Sequence, residues 1–205
     1  MKVFMVLLFL SLNAYPMKPI YSTDRLEAMF QNPKEDLAAA EYLLSHTKHH
    51  HPFNLVLAAQ ALFNHGRREQ GAFVFYLFQL RINPWVTAGK DSGMSSLVGA
   101  LKQSVGSQVH SWIGSDPEAW QELALKAQAA EKKLPLAEQL PPGMTKEKWL
   151  ALNEELRSKS SKELAETFRS LLKEGKDAFL KQRRANKLHV GPWIDPGPPI
   201  PIGWL

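Results

Sequence analysis

"AAQALFNHGRREQGAFVFYLFQLRINP", residues 58–84, is the stretch whose reading decides the fold. An apolar stripe (Leu55, Leu57, Ala58, Ala61, Leu62, Phe63) runs into Gly66, the residue that most readily ends a helix. Basic Arg67 and Arg68 follow, and then Phe73, Phe75, Tyr76 and Phe78 fall on several sides of one segment. Phe, Val and Tyr also favour strands, so a buried strand is the rival reading. Helix is preferred because the neighbouring segments read as helices and no partner strand is evident elsewhere. The stretch is then a helical hairpin whose second arm, 67–81, ends before Pro84. A helix that is apolar all round lies at the centre of its bundle, so the aromatics read as interior filling.

The same hairpin resembles one unit of a tetratricopeptide-type repeat. Phe63, Gly66, Ala72, Tyr76 and Pro84 follow that family's order of aromatic, glycine, small residue, aromatic and proline. It departs from the pattern at Gln60 and Gln79, where small residues are usual, and no second copy is evident, although such arrays need several units. It also resembles a segment of uncharacterised exported bacterial helical proteins. The resemblance implies a protein-binding scaffold and no mechanism.

Outward from the hairpin, helix punctuation is legible. Ser22 or Thr23 caps a short helix through Phe30. Asn32-Pro33-Lys34-Glu35 reads as a capped start for a helix over 33–46. After a loop at 86–92, a helix over 93–112 places Met94, Leu97, Leu101, Val105, Val109 and Trp112 on one side, with Gly99 and Gly106 allowing close approach. Ser115-Asp116-Pro117-Glu118 reads as another capping box opening a further helix, with Trp120, Leu123, Ala127 and Ala130 on one face. Thr145 caps one carrying Trp149, Leu152 and Leu156, and Ser160 with Glu163 reads as a capping box opening another. The expectation is an all-α, irregular bundle of six to eight helices. Its parts are a signal peptide (1–16), an N-terminal helical region (17–134), a proline-rich linker (135–144), an amphipathic basic helical region (145–189) and a tail (190–205). The tail, "VGPWIDPGPPIPIGWL", carries five prolines and must run extended. Its apolar side chains predict that it wraps onto its own helices, with Trp193 as the anchor.

The first sixteen residues, "MKVFMVLLFLSLNAYP", have the positive start, short apolar run and small-residue exit of an export signal. The chain of 205 residues has no cysteine, which excludes disulfides, thiolate metal sites and thiol nucleophiles. Export without cysteine points to a bacterial periplasm. The net charge of +5 is uneven: residues 1–143 hold 13 Lys and Arg against 12 Asp and Glu, whereas 144–190 hold 12 against 7. An exported basic face meets a protein partner or a membrane surface before nucleic acid, and a protein is favoured.

Signals for chemistry are sparse. There is no G-x-S-x-G, H-E-x-x-H, P-loop or Rossmann glycine pattern, and no cofactor is expected. Ser170 and Lys173 match S-x-x-K without its companion motifs. The histidine cluster at 46–51 puts His46 and His50 four apart, a spacing that on a continuous helix shares Zn²⁺ or Cu²⁺, with His65 as a third ligand. A periplasmic metal-binding protein or hydrolase built on that cluster is the alternative function. The leading expectation is a non-enzymatic exported protein-binding scaffold, by analogy with immunity proteins that neutralise a periplasm-directed toxin. Its candidate surface is Arg67, Arg68, Lys181, Arg183, Arg184 and Trp193.

Overall fold

The computed structural model describes residues 21–89 and 92–205, so the expected export signal lies outside the described residues. Within them the chain is all-α, with eight helices and no strand: α1 Thr23–Gln31, α2 Asp36–Ser45, α3 Asn54–Asn64, α4 Arg68–Ala88, α5 Ser92–Ile113, α6 Pro117–Lys133, α7 Lys146–Ser170 and α8 Lys176–Ala185. A π turn, Leu171–Gly175, joins α7 to α8 as one rod.

Local chemistry explains most of the boundaries. The Ser22 hydroxyl accepts from the Arg25 N–H and starts α1; the Asp116 carboxylate accepts from Ala119 N–H ahead of Pro117 and starts α6; Thr145 does the same for α7. Gly66 ends α3 at φ +75°, where the Arg67 N–H reaches back to Leu62 O at 2.9 Å and the Gly66 N–H to Phe63 O at 3.2 Å. That bonding pattern closes a helix through a left-handed residue, a backbone state glycine adopts without strain.

α4 is the axis of the bundle. It packs on α3, α5, α6 and α7, and Gln70 through Phe78 are buried without a break. The aromatic arm is therefore interior: Phe73, Phe75 and Phe78 are fully enclosed. α3 and α4 approach most closely at Gly71, where a Cβ would lie 2.9 Å from the Ala59 carbonyl oxygen.

Four sequence readings are corrected. α4 does not stop before Pro84 but runs through it to Ala88, because Trp85 is buried against Trp149, ring centroids 5.4 Å apart, and that contact outweighs the one hydrogen bond proline removes. The α4–α5 loop is correspondingly short. Asn32 does not start a helix at 33; its side chain accepts from Lys34 N–H in a turn, and α2 begins at Asp36. Ser160 opens no new helix, since α7 passes through it, pinned at Trp149, Arg157 and Phe168. On α5 the buried line is Val98, Val105, Val109 and Ile113, while Leu97 is half exposed; only Gly106 of the two glycines makes a close approach, to Phe75.

One buried cation ties the layers together. Arg81 on α4 donates to the carbonyls of Glu131 (3.1 Å), Leu134 (2.6 Å) and Pro135 (2.6 Å) at the end of α6. Its Nε lies 2.9 Å from the buried Glu131 carboxylate, which Arg157 of α7 also grips through two hydrogen bonds of 2.9 and 3.0 Å. Burial holds the Arg81 pKa below that of free arginine, with Glu131 opposing the shift. Arg81→Met strands three carbonyls and removes half of the compensation for a buried carboxylate. It should cost about 3–5 kcal/mol in urea unfolding, and Arg157→Met, at a more exposed position, less. Gly71→Ala overpacks the hairpin and should cost about 1–3 kcal/mol by the same measurement.

Candidate functional site

The cations singled out from the sequence divide into two groups. Arg67 pairs with Glu41 at 2.6 Å, and Arg68 donates to the Ile194 carbonyl at 3.3 Å. Arg183 is no surface residue: it is buried, its Nη2 donating to Ser111 O (2.6 Å) and His189 O (3.1 Å), and burial lowers its pKa. Its place on a face that turns inward toward α5 was invisible in a basic run. Lys181 and Arg184, by contrast, are exposed and, with Lys187, form no ion pair with any described residue.

Beside them lies a cleft of about 390 Å³ between α5, α6 and α8, lined by His110, Trp120, Phe179, Gln182, Asn186 and Leu188 among others. Trp120 is its aromatic hub, with His110 at 5.8 Å, Phe168 at 5.4 Å and Phe179 at 6.3 Å between ring centroids. The Trp120 indole N–H donates to the Tyr76 hydroxyl from α4, which fixes the ring; burial pushes the Tyr76 pKa up to about 12. Burial also lowers the His110 pKa, so the imidazole presents a neutral edge. Gln182 and Asn186 bond each other at 3.2 Å along the α8 side. An aromatic floor with amide groups and a neighbouring unpaired basic helix end suits recognition of another surface. Sequence reading found the cations but not the cleft, since Trp120 and Phe179 sit about sixty residues apart and read separately as core positions.

The histidine cluster does not assemble into a metal centre. His46 stacks on Tyr42 at 4.1 Å and its Nδ1 lies 2.9 Å from Tyr42 O. His65 is taken by Asp36 at 2.8 Å, and His50 turns inward, its ring edge-on to Tyr42 with neither nitrogen partnered. No group of three or more His, Cys, Asp or Glu among the described residues could hold a metal ion, so the set of His46, His50 and His65 is not brought together. The cluster lies past the end of α2 at Ser45, so His46 and His50 do not share a helix face.

Trp193 is the tail's anchor, as its apolar character predicted. Its indole N–H donates to Ile113 O at 2.9 Å and its ring meets Trp112 at 4.9 Å. A second, larger groove, of about 690 Å³, lies where Trp85, Ala88 and Met94 face Pro141, Pro142 and Met144. No helix among the described residues is long and apolar enough to cross a membrane. No family model, curated protein or solved structure matches the chain.

Burial holds the pKa values of His50, His51 and His110 below the free value. The unfolded chain takes up those protons near pH 6.5 and the folded one only at lower pH. Stability should therefore be constant on this account above about pH 6.5 and fall as pH drops through that value toward the lowered folded pKa values. Urea midpoints between pH 7.5 and 5.5 should show the decline, and His50→Phe should shallow it.

Proposed function

We propose that the protein is a non-enzymatic binding scaffold for an acidic protein partner, received at the cleft between α5, α6 and α8. The observation that carries this reading is the juxtaposition of an aromatic cleft around Trp120 with Lys181, Arg184 and Lys187, cations that no described acidic group neutralises. Aromatic anchors supply binding energy where water is excluded, and unpaired charge at the edge supplies steering and selectivity. The repeat-like build of the α3–α4 hairpin fits the same class of function. Taken with the export signal read at the N-terminus, the partner class is a toxin directed at the periplasm, and the protein acts as its immunity factor by occupying the toxin's surface.

Reversing the charge tests it. A partner that co-purifies with the wild-type protein from its native host should be lost, or weakened at least tenfold, in Lys181→Glu/Arg184→Glu. It should survive Lys34→Glu, a change at a distant exposed site. Retention by the double variant, or an affinity that ignores ionic strength, overturns the assignment of this face.

A further inference from the structure

The C-terminal tail is bound as a peptide ligand would be. After Asn186 the chain leaves α8, and it crosses the turn of the α3–α4 hairpin as a bent, non-helical segment. Every polar contact that the hairpin and the end of α5 make to the tail between Ile194 and Pro199 is to a main-chain oxygen, apart from the loose approach of Arg68 to Asp195 at 4.0 Å. The Trp112 indole and Arg68 both donate to Ile194 O, at 2.7 and 3.3 Å. The Glu69 N–H, in the first turn of α4, donates to Pro196 O at 2.9 Å. Gln70, itself 2% exposed, donates through Nε2 to Pro198 O at 3.2 Å and Pro199 O at 2.8 Å. An aromatic N–H and an amide reading carbonyls is a means by which proline-rich segments are recognised elsewhere: prolines offer acceptors without donors, and their stiff backbone loses little entropy on binding.

The hold is incomplete. Ile200 is buried, but Ile202 is 90% exposed and Ile194 49%, so part of the tail's apolar surface stays in water. Asp195 is in the left-handed region at φ +47°, a state that a non-glycine residue adopts at a cost. Fit depends on one glycine. Gly197 has φ +77°, and a Cβ there would lie 2.3 Å from the Gly66 carbonyl oxygen.

From these contacts we infer that the face made by Arg68, Glu69, Gln70 and Trp112 is a binding site for a proline-rich segment of a partner protein, and that the chain's own tail occupies it in cis as a competitor. This site is separate from the α5–α8 cleft, and its test does not depend on that cleft. Because every polar contact falls on main-chain oxygens, the requirement on a foreign segment is prolines equivalent to positions 196, 198 and 199 around a glycine equivalent to 197, with an apolar residue at the buried Ile200 position.

The experiment uses the full chain and fluorescently labelled peptides, read by anisotropy. One peptide is the tail sequence 190–205, the second keeps Pro196 to Ile200 in serine flanks, and the third replaces its prolines by alanine. Gly197→Ala expels the tail without altering the receiving face, and it should bind the first two peptides at least tenfold more tightly than wild type. The alanine peptide should lose at least fivefold, and adding Gln70→Ala should abolish the gain. Trp193→Ala frees the tail from a different anchor and should reproduce the gain, which covers a failure of Gly197→Ala to fold. Equal binding by wild type and both variants overturns the inference, as does full retention of the alanine peptide. Light scattering that shows dimers held by exchanged tails also overturns it, since the occupant would then be a second copy.

Discussion

A helical chain without disulfides must satisfy the polar ends of its helices, and in this protein the guanidinium of Arg81 is where that requirement is met most deeply. The last carbonyls of a helix have no partner within it, and burying them bare costs roughly 1–3 kcal/mol apiece. α6 ends against the centre of the bundle, and Arg81 covers three oxygens there while its charge is answered by Glu131. The 134–144 segment follows from this arrangement. It leaves α6 under Arg81 and is held on its far side where Glu138 N–H donates to Lys48 O at 2.7 Å and its carboxylate meets His49. A proline-broken stretch thereby becomes a wall of the core, over which α7 lies with Arg157 closing the triad.

The same requirement recurs at the end of α5, and there the rest of the chain answers it. Arg183 from α8 takes Ser111 O, the Trp193 indole takes Ile113 O, and Gly191 N–H takes Ser115 O. The tail then supplies Pro196 O to the first turn of α4, which has no side-chain cap of its own. Arg183, which the sequence assigns to a basic surface, is thus an internal fitting. The tail serves the fold as a cap for two helices, although it contributes no regular element beyond a short turn at Ile202–Trp204. Strands could not do this work here, because a five-proline run lacks the donors a ladder needs.

Much of this was legible in residues with a single local meaning. Ser22, Gly66, Asp116 and Thr145 punctuate helices through bonds to their immediate neighbours, and a sequence shows neighbours directly. The all-round apolar character of 70–78 likewise announced a central helix. Readings failed where a distant contact decided the outcome. Pro84 lost to the packing of Trp85 on Trp149, and Ser160 lost to anchors on either side of it along α7. The histidine spacing lost to the tertiary contacts that took His46 to Tyr42 and His65 to Asp36 and turned His50 inward. Arg81 was the recoverable signal, the one charge past the first turn of a largely apolar helix. A buried charge must have a partner, but which carboxylate answers it, fifty residues on, follows only from the packing of α4 on α6. The cleft was hidden for a related reason, since Trp120 and Phe179 each look like ordinary core residues until their rings meet.

The division of labour among the arginines bears on what the surface can do. Arg81 and Arg183 are buried and Arg157 is half-buried against Glu131, while Lys176 is matched by Glu118 across α6 and α8. With these accounted for, the C-terminal half keeps fewer exposed, unpaired cations than composition implies, Lys146, Lys148, Lys162 and Lys173 among them. Lys181, Arg184 and Lys187 lie at the end of α8, next to an aromatic cleft that the Arg183 guanidinium also lines. Charge spread evenly over a surface attracts any polyanion. Charge confined to the edge of one shaped cleft selects a partner whose acidic groups flank an apolar projection, because only that partner satisfies the cations while burying the rings. Drawing Arg183 inside thus both completes α5 and sharpens the surface that α8 leaves outside.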